Sequence, residues 1–276
     1  MSRSDMNKRR GGVASIVVRC SSVGRIDLDH LKSSLSDKTK AVVINHGSNV
    51  TGTVQPLDQI RAVIGDRTLI VDACQTIGNV PVDVEGQEID LLCFSCHKSL
   101  LGIQGVGALY IRNGIDLTPL KFGGTGSRSE SIEQPDMLPD RYESGTPNAP
   151  GIASLLGGLT FIEKTGADVI REKKRALRRY LVEGLRGIDG ITLHCDPEDG
   201  SALPIVSVTM KGVTPADIGY ACNRAGICVR VGLHCAPLAH QALGTFPVGA
   251  VRISPGYFNS YEDIDRVVEV LRGLEH

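Results

Sequence analysis

The chain has 276 residues, of which 41% are hydrophobic and 22% are charged. This composition is ordinary for a globular protein and argues against a fibrous or intrinsically disordered chain. Thirty Lys and Arg against 31 Asp and Glu leave a net charge of -1, which gives no reason to expect a nucleic acid or an anionic membrane as partner. The sequence shows neither an apolar run of membrane-spanning length nor a signal segment, so we expect a cytoplasmic protein.

The first half of the chain alternates short apolar runs with helical patterns. A helix is predicted over residues 56–64, because Leu57, Ile60 and Ile64 share one face. Such runs predict a largely parallel sheet covered on both faces, with a ligand site where the strands end. The predicted strands are residues 41–45, 68–72, 89–94 and 107–112.

The second half predicts a smaller α/β unit. A loop over residues 113–150 leads to a helical region that includes residues 168–185, and Ser260 with Asp263 forms a capping pattern for the last helix. We therefore predict a large domain over residues 1–155 and a small C-terminal domain over residues 156–276. The predicted strands of the small domain are residues 191–195, 204–210, 227–231 and 250–254.

Lys98 is the first candidate catalytic residue. It follows the strand 89–94 directly, beside Ser95 and His97. On position alone it could be an ordinary surface lysine, but a lysine at this edge can also bind a carbonyl compound through its amine. Asp72 ends the preceding strand, where a carboxylate can pair with the ring nitrogen of pyridoxal phosphate. Asp72 could also cap the turn that follows, and both roles can hold together.

With these residues, the chain resembles the class V aminotransferase family, and within it the cysteine desulfurases and selenocysteine lyases. Each matching segment alone is weak, but all six occur in the order that the family has. The segments are residues 48–52, 72–75, 95–98, 145–148, 232–237 and 251–254.

The resemblance implies a pyridoxal phosphate enzyme of fold type I, with a mixed, mostly parallel sheet. Lys98 would bind the cofactor covalently, and Asp72 would pair with its ring nitrogen. Arg252 would grip the substrate carboxylate, which suits a planar guanidinium. Gln75 and Asn49 would contact the phenolic oxygen of the ring, and Asn49 would also belong to the substrate site. Ser95 and His97 would bind the phosphate. Thr146 would reach the phosphate of the neighbouring subunit in a homodimer.

Cys235 is set apart from the other seven cysteines by the same resemblance. The family motif places its persulfide-forming cysteine here, just before Pro237, a residue favoured in the first turn of a helix. A helix start stabilises a thiolate, and we expect His234 to add positive charge. The alternative is a loop cysteine without a chemical role.

The implied reaction removes sulfur from L-cysteine, giving L-alanine and a persulfide on Cys235, with a possible acceptor protein for the sulfur. Selenocysteine is the nearest alternative substrate, and a plain aminotransferase would have no use for Cys235. Neither haem nor zinc is expected: the run Cys93 to His97 lies across a predicted strand, and the pair His194 and Cys195 lacks a second ligand pair.

The sequence departs from the family at its start. The resemblance implies an earlier part of the large domain, with a loop around the cofactor phosphate and a histidine stacked on the ring. Neither His30 nor His46 replaces that histidine. We therefore expect a fragment, a wrongly placed start or a natural truncation, and a cofactor-free, inactive product is a third functional hypothesis.

Overall fold

The computed structural model describes residues 13–128 and 130–274. Its first sheet has four strands in the order β1-β2-β3-β4, and the first three are parallel while β4 is antiparallel to β3. The predicted mixed, mostly parallel sheet is therefore confirmed. The strands are β1 (Ala41–Asn45), β2 (Thr68–Asp72), β3 (Leu91–Ser95) and β4 (Gly107–Ile111).

One face of this sheet forms a core with two helices, α1 (Leu28–Ser34) and α2 (Leu57–Ile64). Side chains alternate between the faces of a strand, so Val42 and Ile44 of β1 are buried in that core while Val43 is 68% exposed. Leu109 of β4 is likewise 50% exposed. The second face is thus only partly covered among the described residues, since Leu91 of β3 is 8% exposed on the same face. The prediction that both faces are covered is wrong for the edge strands, because an apolar run does not show which residues cover each face of a strand.

Two consecutive helices, α3 (Ala149–Thr165) and α4 (Ala167–Arg186), follow the loop after β4. Asn148 caps α3 by accepting a hydrogen bond from the Gly151 amide, and Gly166, with φ of 91°, separates the two helices. The helix predicted over residues 168–185 is confirmed, and its leucine face is buried as the period of 3.6 requires.

The second sheet is antiparallel throughout, in the order β5-β6-β8-β7. Its core includes buried residues of α4, α5 and α7. Ser260 and Asp263 form the predicted capping box at the start of α7. The elements are β5 (Ile191–Leu193), β6 (Val206–Met210), α5 (Pro215–Arg224), β7 (Arg230–Gly232), α6 (Pro237–Ala242), β8 (Ala250–Ile253) and α7 (Tyr261–Arg272).

The loop after β1 joins the two sheets. The buried Ser207 hydroxyl donates to the Val50 carbonyl at 2.6 Å, and the Leu203 amide donates to the Gly52 carbonyl at 2.8 Å. The predicted boundary between residues 155 and 156 lies inside α3, and the division into two domains stays a prediction. Within the described part of the chain, no helix has both the length and the apolar character needed to cross a membrane.

Candidate active site

The carboxyl ends of β1, β2 and β3 meet at one edge of the first sheet, as expected for parallel strands. The ladder continues past the strands, since the His46 amide donates to the Asp72 carbonyl at 3.0 Å and the Ala73 amide donates to the Cys93 carbonyl at 2.8 Å. Asp72 and Ser95, the last residues of β2 and β3, are thereby held at this edge.

The Asp72 carboxylate stabilises the turn that follows β2. Its Oδ1 atom accepts a hydrogen bond from the Cys74 amide at 2.9 Å. The structural role predicted for Asp72 is thus present, and it fixes the direction of the side chain. A carboxylate held by a backbone amide is preorganised, which is also what a partner for a ring nitrogen needs.

Asp72 and Lys98 lie at the same edge of the first sheet. Asp72 ends β2, and Lys98 comes three residues after the end of β3, which runs parallel to β2. The Cys74 thiol lies near this edge: burial raises its pKa, the neighbouring Asp72 raises it further, and Lys98 and Ser95 lower it. The meeting of the Asp72 and Lys98 side chains around a cofactor stays a prediction. The sequence analysis did not single out Cys74, although it lies two residues after Asp72 and next to Gln75.

Ser95 supplies a polar atom that fits a bound anion. Its Oγ atom is buried and lies close enough to the Cys74 thiol to lower the pKa of that thiol. A thiol is a weak hydrogen-bonding group, so a phosphate oxygen at this point would be a stronger partner for the hydroxyl. His97 and Thr146 are exposed, and Gln75 is half-buried. The contacts of His97 and Thr146 with the phosphate and of Gln75 with the ring stay predictions.

Arg252 approaches the site from β8 of the second sheet. Its Nη1 atom donates to the Asn49 carbonyl at 3.0 Å, while its Nε atom is buried and has no partner within the described ranges. Burial lowers the pKa of this guanidinium, Arg230 lowers it further, and Cys235 opposes both. A half-buried guanidinium with an unused donor fits the role of binding a carboxylate.

Cys235 is exposed and lies in an unusual backbone conformation. His234 and Cys235 have φ of 50° and 60°, a left-handed conformation that costs an L-residue roughly 1–2 kcal/mol. The His234 ring is only 6% exposed, and burial is the main cause that lowers its pKa to about 4. His234 is therefore neutral near pH 7, and the expectation that it adds positive charge to Cys235 is wrong. Arg252 is a cation that interacts with Cys235, since Cys235 raises the pKa of its guanidinium.

Asn49 connects this loop with the first sheet. Its side-chain amide donates to the His234 carbonyl at 2.6 Å, and its own carbonyl accepts from Arg252. Asn49, in the loop after β1, is thus hydrogen bonded both to the loop that carries Cys235 and to Arg252 of the second sheet. Sequence reasoning also missed His240, a fully buried residue that hydrogen bonds to the His234 ring, because its position inside α6 looks like an ordinary helix position.

The described residues contain no group of three or more His, Cys, Asp and Glu side chains placed to hold a metal ion. Of the run that resembles a haem attachment motif, Cys93 lies in β3, Cys96 is buried and His97 is exposed. The assembled groups are instead a carboxylate, a lysine, a buried hydroxyl, a guanidinium and a thiol. This set suits a cofactor with a phosphate and a ring nitrogen, together with an amino acid substrate.

Comparison with known sequences agrees with this chemistry. The family Aminotransferase class-V matches residues 4–267. A probable cysteine desulfurase from Mycobacterium leprae is 33% identical over 259 residues, which cover 91% of this chain and 61% of the relative. A probable cysteine desulfurase from Methanothermobacter thermautotrophicus is 32% identical over 275 residues, which cover 96% of this chain and 68% of the relative. The chain thus spans about two thirds of the length of these relatives.

Solved structures show the same fold. A cysteine desulfurase from Thermococcus onnurineus, in its apo form, matches with a TM-score of 0.86 and 26% identity over 98% of this chain and 68% of that chain. A cysteine desulfurase from Escherichia coli matches with a TM-score of 0.87 and 23% identity over 96% of this chain and 66% of that chain.

Proposed function

The chain belongs to the class V aminotransferase family, and from this premise we propose that it is a cysteine desulfurase dependent on pyridoxal phosphate. It would remove sulfur from L-cysteine, giving L-alanine and a persulfide on Cys235. The observation that carries the proposal is the position of Asp72 at the end of β2 and of Lys98 just after β3, at the edge where the carboxyl ends of these parallel strands meet. Asn49 joins this location to the loop of Cys235 and to Arg252.

The residues at the sheet edge fit the cofactor. Lys98 would hold it covalently, Asp72 would face its ring nitrogen, and the buried Ser95 hydroxyl would bind its phosphate. When bound, pyridoxal phosphate supplies an electron sink for negative charge at the substrate α-carbon. The fixed Asp72 carboxylate favours the protonated ring nitrogen on which that sink depends.

The other residues act on the substrate. Arg252 binds the α-carboxylate, and the Lys98 amine accepts the α-proton. The Cys235 thiolate then attacks the substrate sulfur. A sulfur–sulfur bond forms as the carbon–sulfur bond breaks, and its electron pair goes to the β-carbon. One proton then completes the methyl group, and the proton held by Lys98 returns to the α-carbon to give alanine.

The proposal extends to the assembly. Thr146 is exposed just before α3, as a residue that reaches the phosphate of a neighbouring subunit must be. A cytoplasmic homodimer that passes its sulfur to an acceptor protein is therefore part of the proposed function.

Absorbance of the purified chain with added pyridoxal phosphate, followed by addition of L-cysteine, tests the proposal. We expect a visible absorbance band that Lys98→Ala abolishes and Lys211→Ala, a change of an exposed lysine, preserves. Cys235→Ser should keep the band but stop alanine release, whereas Cys228→Ser, at another exposed cysteine, should keep both. Alanine release by Cys235→Ser at the wild-type rate would exclude the role of Cys235.

The same assay separates the alternatives. Faster turnover of selenocysteine, with little dependence on Cys235, would indicate a selenocysteine lyase. Transfer of an amino group to a keto acid would indicate an aminotransferase. A chain that stays colourless with the cofactor would contradict the proposed function and favour a cofactor-free protein.

A further inference from the structure

A chain of side-chain hydrogen bonds lies beneath the loop that carries Cys235. The His234 Nε2 atom is 3.1 Å from the Arg230 carbonyl, and the His234 Nδ1 atom is 3.3 Å from His240 Nε2. The His240 Nδ1 atom is in turn 2.7 Å from the Thr245 hydroxyl. His240 is fully buried and His234 nearly so, which makes this a shielded network in which unmatched donors or acceptors are unfavourable.

The direction of every bond in this chain follows from its first acceptor. A carbonyl only accepts, so His234 Nε2 carries the proton and His234 Nδ1 is the acceptor in the neutral ring. His240 Nε2 must therefore donate to His234, which leaves His240 Nδ1 as the acceptor for the Thr245 hydroxyl. Thr245 also lies 3.4 Å from the His240 carbonyl, but the 2.7 Å contact to the ring is the shorter one.

His240 is itself firmly placed. Its backbone carbonyl accepts from the amides of Thr245 and Phe246 at 2.9 and 3.1 Å, and its own amide donates to the Ala236 carbonyl at 3.2 Å. The ring of His240 therefore forms a fixed support against which the ring of His234 rests, with 5.3 Å between the ring centroids.

His234 and Cys235 need such a support because both adopt positive φ without being glycine. Residues with a Cβ atom persist in this conformation only when the surrounding contacts impose it. On one side the contact is the hydrogen bond from Asn49 to the His234 carbonyl. On the other side it is the ring of His240.

We propose that His240 is a positioning residue for the sulfur-accepting thiol. By donating a hydrogen bond to the His234 ring, it holds residues 234 and 235 in the left-handed conformation in which Cys235 is exposed just before α6. This inference rests on the proposed function, since it concerns the thiol assigned there to accept sulfur. It adds a residue that touches neither substrate nor cofactor.

Replacement of His240 by residues that differ in hydrogen bonding tests the inference. His240→Leu fills much of the space but donates no hydrogen bond, whereas His240→Gln retains a side-chain N–H donor. We expect His240→Leu to lower kcat for alanine release on the order of tenfold or more, because displacement of a reacting group slows a reaction steeply. The KM for cysteine and the binding of pyridoxal phosphate should stay unchanged, and His240→Gln should restore most of kcat.

His30→Leu is the matched control. His30 is a partly buried histidine of the first half of the chain, and its Nδ1 atom accepts a hydrogen bond from the Arg19 amide at 2.9 Å. Its loss removes a comparable hydrogen bond far along the chain from the His234 ring, so we expect kcat to stay within about twofold of the wild type.

A second measurement does not depend on turnover. Alkylation of Cys235 by iodoacetamide, measured by mass spectrometry against Cys228 in the same molecule, reports the surroundings of the thiol directly. A nearby cation favours the reactive thiolate, so a displaced Cys235 should be alkylated about threefold more slowly in His240→Leu. His240→Gln and His30→Leu should keep the wild-type ratio.

The two proposals fail in different ways. A wild-type chain that releases no alanine with added cofactor contradicts the proposed function, whatever the alkylation shows. Normal kcat and normal alkylation of Cys235 in His240→Leu overturn the role of His240 while the proposed function stands.

His234→Leu keeps the inference testable if His240→Leu does not fold. It removes the same hydrogen bond together with the one to the Arg230 carbonyl, and we expect at least the same loss of kcat with unchanged KM. Where both single variants fold, the double variant should be no worse than His234→Leu alone, because the contact made by His240 is already lost in that variant. Additive losses would overturn the inference.

Discussion

The side-chain amide of Asn49 donates a 2.6 Å hydrogen bond to the backbone carbonyl of His234, the residue before Cys235. This contact joins residues that are 185 positions apart, and it ties the loop after β1 to the loop after β7. The Asn49 carbonyl accepts from Arg252 as well. The geometry of the candidate site therefore depends on how the two sheets are held against each other.

The first prediction concerns this bond. Asn49→Ala should lower the free energy of unfolding by about 1 kcal/mol, the usual loss for one hydrogen bond, and should also slow alanine release. Asn49→Asp should be worse than Asn49→Ala, because it places a carboxylate oxygen against the His234 carbonyl. Urea unfolding and the rate of alanine release measure the two effects. Equal behaviour of the two variants would show that the bond is not formed.

The second prediction separates the charge of Asp72 from its structural role. In Asp72→Asn, the amide oxygen can still accept from the Cys74 amide, so stability should stay close to that of the wild type. Alanine release should fall on the order of a hundredfold, since the negative charge opposite the ring nitrogen is lost. Asp72→Ala should lose both properties. An active Asp72→Asn variant would contradict the role of this carboxylate.

The third prediction uses neighbouring valines of β1. Val42 is 9% exposed and Val43 is 68% exposed. Val42→Ala should lower the free energy of unfolding by roughly 1.5–3 kcal/mol, because it leaves a cavity in the core. Val43→Ala should change it by less than about 0.5 kcal/mol. A large effect of Val43→Ala in the purified chain would indicate that another surface covers this face in solution.

The fourth prediction concerns pH. Burial lowers the pKa of His46 and of His234 from 6.5 to about 4. For His234 the hydrogen bond to the Arg230 carbonyl opposes this shift, while the charges of Arg252, His240 and Arg230 add to it. Between pH 4 and pH 6.5 the unfolded chain binds more protons than the folded chain. The free energy of unfolding therefore falls as the pH falls from 6.5 towards 4. Each histidine contributes a slope of at most about 1.4 kcal/mol per pH unit.

Urea unfolding between pH 7 and pH 4.5 measures this slope. His46→Gln should make the pH dependence shallower, while His97→Gln, at an exposed histidine, should leave it as in the wild type. A pH dependence that His46→Gln leaves unchanged would show that His46 takes up its proton equally in the folded and unfolded chains.

Local sequence patterns were sufficient for most of the fold. Apolar runs located β1 and β2, the period of 3.6 residues located α4, and Ser260 with Asp263 located the start of α7. The edge with Asp72 and Lys98 could also be predicted, because parallel strands place their carboxyl ends together. Each of these inferences uses residues that are close in the chain or a rule that holds for all parallel sheets.

Contacts between distant parts of the chain decided the rest. An apolar strand does not show whether a partner covers it, and Val43 is exposed although its sequence context resembles that of Val42. The charge of His234 depends on its burial, and the left-handed conformation of Cys235 depends on how its loop packs against His240 and Asn49. The sequence by itself determined which chemical groups this protein carries at its sheet edge. Only the tertiary structure decided which of them are charged, buried or held together, because those properties arise from packing between residues far apart in the chain.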